Sequence, residues 1–273
     1  MSEYLTTQFY KELLQLPAFS NDSQKRELKQ SFFNSNLINN TLYKYISFNE
    51  NQALNEEKLT CLQNNELWFS AHYVLRNNDS TEFQINANIA RVSNATGVSI
   101  PEIAYRLKAC REISDLCCFS NRLHEYMWAN YANNHSGICC VFEILDPLDF
   151  YPVLYCDKKQ TDFTKEVISM IKKTDTNHNA LKMLYLPFVL KDKKRYGVEQ
   201  EIRLMSSDSF DDENDVLGGR VAPGKKEALG YTGRAYTYEY CHLALKKIIV
   251  GRNTPKRYIE ELQKINIPIE FET

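Results

Sequence analysis

The chain has 273 residues, 43% of them hydrophobic and 25% charged, with a formal net charge of −2 at pH 7. Its 17 Tyr and 14 Phe exclude a disordered chain, and its near-neutral charge excludes whole-chain attraction to nucleic acid or membrane. The opening MSEYLTTQFYKELLQLPAF is polar where a secretion signal would be basic and then apolar. No apolar run approaches the roughly 20 residues of a membrane span, so a cytoplasmic location with no membrane contact is expected.

Residues 4–38 carry apolar side chains at helical spacing: Tyr4, Leu5, Phe9, Leu13 and Leu14, then Leu28, Phe32 and Phe33, with a break from Pro17 to Ser23. They predict two short amphipathic helices within a helical N-terminal extension, residues 1–41, laid on the main domain or on a partner. The main domain, 42–273, opens with LYKYISF (42–48) as a strand, 50–64 as a helix, LWFS (67–70) as a short strand and RNNDSTE (76–82) as a loop. Ser99-Ile-Pro-Glu102 is a capping box with proline in the first turn, opening a helix with Ile103, Leu107 and Cys110 on one face.

LCCFS (116–120) reads as a buried strand, 121–133 as a helix and ICCVFEI (138–144) as another buried strand. Residues 163–190 read as mostly helical. QEIRLMS (200–206), the alternating RAYTYEY (234–240) and KKIIVG (246–251) read as strands. Thr254-Pro255 caps a last helix, and IPIEF (267–271) closes the chain as a strand. Irregular crossovers and short strands argue for α+β rather than a doubly wound sheet. Segment 206–233 is polar and Gly-rich, acidic first and basic at Lys225-Lys226; it is either functional or disordered. It is also a candidate contact for a partner or a phosphate-bearing acceptor.

The cysteines, Cys61, Cys110, Cys117, Cys118, Cys139, Cys140, Cys156 and Cys241, include two vicinal pairs and no Cys-x-x-Cys. They read as reduced, packed small hydrophobes. His135, Cys139 and Cys140 are the candidate zinc ligands, but neighbours on a strand point to opposite faces and ligands must converge, so a structural zinc site is rejected.

No Gly-rich phosphate loop, Rossmann fingerprint, Gly-x-Ser-x-Gly or His-Glu-x-x-His is present. Four segments carry candidate chemistry. Tyr43-Lys44-Tyr45 puts an ammonium on one strand face and two rings on the other, or is simply an exposed edge lysine. Trp128, Tyr131 and His135 share a helical face, either a core face with His135 at the helix end or a site. Glu199 and Glu201, two apart on a strand, share one side with Arg203; they are a solvated edge, or a carboxylate pair in which one pKa is raised. Ser70 with Asn78-Asp79 places polar groups at a strand exit.

Leu42–Tyr45, Leu67–Ser70, Asn78-Asp79, Cys118–Ser120, Met127–Cys139 and Glu199–Leu204 resemble, in order, the motifs of an uncharacterised bacterial family often encoded in defence loci. The resemblance spans residues 42–251. It departs where the loop near Asn78 lacks its usual Pro-Phe and where Ile202 stands for a Trp. That family in turn resembles the ADP-ribosyltransferase fold, a split mixed sheet with flanking helices, in its DNA-modifying toxin branch. The resemblance implies an NAD-dependent ADP-ribosyltransferase, a toxin or anti-phage effector, with Glu201 as the catalytic carboxylate and Glu199 positioning or deprotonating the acceptor. It implies Lys44 on the pyrophosphate or ribose, Tyr43, Tyr45 or Tyr131 on nicotinamide, and Ser70, His135 and Arg203 on polar parts of NAD. No metal is implied. The acceptor is a nucleic acid or a protein, and a neutralising antitoxin protein is an expected partner. Two rivals stay open: a nucleotide-sensing module without turnover, and a nuclease-like effector.

Overall fold

The structure, a computed structural model, describes residues 3–16, 22–173, 185–206, 230 and 232–273; of residues 3–4 and 109–113 it describes the backbone alone. Helices flank a mixed sheet. Its strands are β1 (Thr41–Ile46), β2 (Glu66–Ala71), β3 (Asp115–Ser120), β4 (Ile138–Ile144), β5 (Phe150–Pro152), β8 (Glu201–Met205), β9 (Gly233–Thr237), β10 (Leu243–Val250) and β11 (Ile269–Phe271). The main path runs β11-β10-β4-β1-β3-β2-β9, with β8 joining β3 to β5. On that path β10 and β11 pair in parallel and the other neighbours are antiparallel. Two further strands, β6 (Leu154–Cys156) and β7 (Leu190–Asp192), form a separate parallel pair.

The centre of the sheet explains why ICCVFEI lacks alternation. Strand β4 lies between β1 and β10, and Cys139, Cys140, Val141 and Phe142 are all buried, so neither face meets water. The sheet opens at β3. Strand β8 pairs along Leu116 to Ser120. Strands β1 and β2 must share the other edge of β3: β1 pairs at Ser120 alone, through Tyr43, and β2 at Leu116 and Asp115. Between those contacts the edge at Cys117, Cys118 and Phe119 has no strand partner among the described residues. Lys44 reaches into the opening and donates to the Cys118 carbonyl at 3.0 Å, satisfying a backbone acceptor that a ladder would have used.

The helices are α1 (Glu3–Gln15), α2 (Asp22–Asn36), α3 (Gln52–Gln63), α4 (His72–Asn78), α5 (Ile89–Thr96), α6 (Ile100–Ile113), α7 (Glu125–Tyr131), α8 (Thr164–Lys173) and α9 (Lys256–Leu262), with one-turn pieces at Leu186–Val189 and Lys193–Tyr196. Ser99 caps α6 as its sequence predicts, accepting from the Glu102 amide at 3.3 Å. The N-terminal helices do not stand apart. Phe9, Tyr10, Leu13, Phe32 and Phe33 are buried in the same core as β3, β4 and β8, and the Tyr10 hydroxyl donates to the Pro152 carbonyl. Their apolar faces are therefore occupied by the chain itself.

Several elements differ from the sequence reading. Residues 76–78 belong to α4 rather than to a loop. Of the stretch read as mostly helical over 163–190, α8 is helical to Lys173 and residues 174–184 lie outside the described residues; beyond them Pro187 falls in a one-turn helix and Leu190 starts β7. The helix read over 121–133 is α7 alone, and the strand read to Tyr240 ends at Thr237 in a turn. Pro255, not Thr254, occupies the cap of α9; the Thr254 hydroxyl donates instead to Gly137. Residues 207–229, including Lys225 and Lys226, lie outside the described residues, as does the Cys110 side chain. No helix among the described residues is long and apolar enough to cross a membrane.

Candidate functional site

A cleft of about 460 Å³ fills the opening in the sheet, within the size range of small-molecule sites. Its walls come from β1 (Tyr43, Lys44, Tyr45), the exit of β2 (Ser70), α7 (Tyr131) and the segment Lys191–Arg203. Strand register places the floor. Tyr43 pairs with Ser120, and Ser120 pairs with Glu201, so these three lie in one row across the sheet. Arg203, two residues on, falls on the same face as Glu201.

Glu199 reaches the cleft by a different route from the one its spacing implies. Strand β8 begins at Glu201, and Gln200 adopts a left-handed conformation, φ 50°. Glu199 thus lies before a kink. Ser120 fixes it there, its hydroxyl donating to the Glu199 carbonyl at 3.0 Å.

The two carboxylates meet on a residue that sequence reasoning missed. Lys191 Nζ donates to Glu199 Oε2 at 2.5 Å and to Glu201 Oε2 at 2.8 Å. Arg203 Nε donates to Glu201 Oε1 at 2.7 Å, and its two terminal nitrogens hold Glu82 in a bidentate pair at 2.8 and 3.0 Å. Tyr131 donates its hydroxyl to Glu199 Oε1. All five charged residues, Glu82, Lys191, Glu199, Glu201 and Arg203, are buried. In direct contact they set two cations against three carboxylates.

The two carboxylates ionise differently. Burial works to raise Glu201, but Arg203 and Lys191 more than offset it and hold its carboxyl well below the usual range. Burial raises Glu199 above its ordinary value, with a further push from Glu201 and an opposing pull from Lys191. Burial, then the neighbouring Glu199, drives the Tyr131 hydroxyl up, so it remains a donor. The floor therefore pairs a carboxylate held as an anion by two cations with one whose pKa burial raises.

The cleft brings together Glu201, Glu199, Tyr43, Lys44, Tyr45, Ser70, Tyr131 and Arg203, and also Asn78 and Asp79. It does not include His135. That imidazole is buried elsewhere, its Nδ1 bonded to Glu272 at 2.8 Å and its Nε2 to Glu125 at 2.9 Å, and its ring is stacked on Trp128. The expectation that His135 contacts the same ligand as Glu201 is corrected by this placement: the turn after α7 carries it away from the cleft, in a left-handed conformation of φ 67°. Among the described residues, Glu125, His135 and Glu272 are the one group of possible metal ligands close enough to converge. Each imidazole nitrogen there already has a carboxylate, and Arg252 adds a cation 3.0 Å from Nε2.

Lys191 and Glu82 carried no sequence signal of their own. Pro187 would have argued against a continuous helix running up to Lys191. Set against family models, curated proteins and solved structures, the chain matches none of them.

Proposed function

We propose that this chain is an NAD-dependent ADP-ribosyltransferase with an ADP-ribosyltransferase-like split sheet, acting as a toxin or defence effector on a nucleic-acid or protein acceptor. The observation that carries the reading is a carboxylate held ionised, Glu201, at the floor of a cleft opened in the sheet, beside the protonatable Glu199. In this reaction the bond between ribose C1′ and the nicotinamide nitrogen breaks. Its electron pair leaves with neutral nicotinamide, and positive charge develops on the sugar ring. A fixed anion stabilises that charge at no cost of reorganisation. Glu201, clamped from two sides, is such an anion. The acceptor's lone pair then forms the new bond to C1′, and its proton passes to Glu199, whose raised pKa suits a base. Tyr43, Tyr45 and Tyr131 offer rings for nicotinamide, Ser70 a hydroxyl, and Lys44 a cation for the pyrophosphate.

A producing cell must restrain such an activity, so a neutralising protein partner belongs to this reading. The apolar faces of α1 and α2 are buried in the core, and that partner would use other surface.

The test is incubation of the protein with NAD. Release of nicotinamide, an ADP-ribose mass shift on RNA, DNA or protein, and indifference to a chelator are the expected outcomes. One observation favours a second reading. Both Glu201 oxygens already accept hydrogen bonds from Lys191 and Arg203, as in a site built to bind rather than to react. A nucleotide sensor of that kind binds NAD and releases no nicotinamide.

A further inference from the structure

The cleft continues past Lys44 into a second lobe of about 510 Å³. Lys44, Tyr45, Ser70 and Tyr131 line both lobes and form the waist between them. One wall of the second lobe is α3, through Leu54, Glu57 and Lys58; the other is β2. Along β2, Leu67 and Phe69 are buried while Trp68 and Ser70 take the opposite face. Trp68 is 46% exposed and lines the lobe, whereas Trp128 is 4% exposed. Strand β9 holds the indole. Gly233 pairs beside it with φ 143°, and a Cβ there would stand 3.0 Å from the indole nitrogen and 2.0 Å from the Phe69 carbonyl. Glycine thus lets the ring lie against one strand while its remaining surface faces the cavity.

We propose that this second lobe is a base-stacking subsite: it takes the second ring of a dinucleotide against Trp68, with the linking pyrophosphate crossing the waist at Lys44. The proposal rests on the NAD reading and names the part of the molecule that its catalytic lobe leaves unplaced. Three observations select this occupant. An aromatic platform open on a cavity wall stacks any flat base. The waist carries a half-buried cation whose ammonium bonds the Cys118 carbonyl and the Cys117 thiol and has one donor left to offer. Beyond the waist the second lobe is a poor place for phosphate, because Glu57 and Glu66 face it and the ammonium of Lys58 is bonded to the Ser47 carbonyl at 2.6 Å. An uncharged ring bearing an exocyclic amine would meet acceptors there.

Tryptophan fluorescence of the full-length protein, titrated with NAD and separately with nicotinamide mononucleotide, tests this alongside calorimetry. NAD is expected to quench the exposed indole, and the mononucleotide, which lacks the adenosine half, to bind at least about tenfold more weakly without quenching. Trp68→Phe keeps a ring and should keep NAD affinity while losing the quench. Trp68→Ala should weaken NAD about tenfold, the low end of base–aromatic stacking, and leave the mononucleotide unchanged. If the alanine variant does not fold, the comparison of wild type with Trp68→Phe carries the result. NAD that binds with measurable heat but neither quenches Trp68 nor responds to Trp68→Ala overturns the subsite and leaves the catalytic reading standing. NAD that produces no heat overturns both.

Discussion

Under the cleft, Lys191 and Arg203 are drawn together with Glu82, Glu199 and Glu201 by strands that fail to close. Beside Trp128, His135 and Arg252 are drawn together with Glu125 and Glu272 by the last residues of the chain. Both clusters pair cations with carboxylates, and both involve motif residues that the sequence marks as functional. They differ in what they face. The first is buried yet lines a cavity, so its charges act on whatever enters. In the second, Glu125 and Arg252 lie at the surface and His135 is enclosed by its partners. Asn253 donates its amide to the His135 carbonyl and Arg252 donates its own to Glu272, so the cluster ties the turn after α7 to the ends of β10 and β11. A charged cluster becomes a candidate site through the space beside it, not through its composition.

The largest expected effect breaks the first cluster. Arg203→Met leaves Glu82 and Glu201 buried without their guanidinium, which for buried pairs costs about 3–5 kcal/mol. Urea denaturation should show a midpoint shift of that size. A loss below about 1 kcal/mol would mean that water reaches the network and that Glu201 is not held as described.

Glu201→Gln keeps the shape and removes the charge. Turnover should fall at least about a hundredfold, the scale of one transition-state electrostatic contact, with the fold retained by circular dichroism. Near-normal nicotinamide release from this variant would remove Glu201 from the chemistry. His135→Ala makes the opposite prediction. It should cost about 1–3 kcal/mol of stability, the range for a buried group stripped of its partners, and leave NAD affinity unchanged. A change in affinity without a change in stability would return His135 to the ligand.

Lys44→Ala tests the cleft's upper wall. A phosphate contact acts in ground and transition states alike, so NAD affinity should weaken by about tenfold while kcat changes little. Unchanged affinity by calorimetry would take Lys44 off the pyrophosphate and leave it as a plug in the sheet.

How far the sequence reaches is visible in these same residues. The strands that border the opening were legible because LYKYI, LWFS and LCCFS are short and mostly apolar or aromatic, and the cap at Ser99 because it follows a local rule. Most of the cleft was legible for the same reason: Tyr43, Lys44, Ser70 and Glu201 sit on or beside those strands. Lys191 was not. It occupies a three-residue strand whose partner, β6, is distant in sequence, and pairing across such a distance has no local pattern. Helical spacing left His135 open between a core face at a helix end and a site, and the structure packs it against Trp128, outside the cleft. The helix ends at Tyr131, and the left-handed turn at Asn133, Asn134 and His135 redirects the chain, a conformation that asparagine tolerates and that spacing rules do not foresee.

A third buried charge sharpens the comparison with the smallest effect. Lys29, on α2, is fully buried, and its ammonium donates to the Leu148 carbonyl and stands 3.4 Å over the Tyr151 ring. Those contacts replace the carboxylate clamp that holds Lys191. Burial lowers Lys29 from an ordinary 10.5 to about 7, whereas Lys191, under its carboxylates, is held above its ordinary value despite burial. The sign follows from proton counts. Between about 7 and 10.5 the unfolded chain keeps a proton on this lysine that the folded chain has released, so stability should rise with pH across that window and level off below it. The slope is at most about 1.4 kcal/mol per pH unit, and the Tyr151 ring, which favours the charged form, makes it shallower. Lys29→Met removes a titrating group and keeps an apolar stem. Denaturation midpoints at pH 7 and pH 9 should therefore differ more for the wild type than for the variant. Equal differences would show that Lys29 stays charged in the fold, and that a carbonyl and a ring can hold a buried ammonium as firmly as the carboxylates hold Lys191.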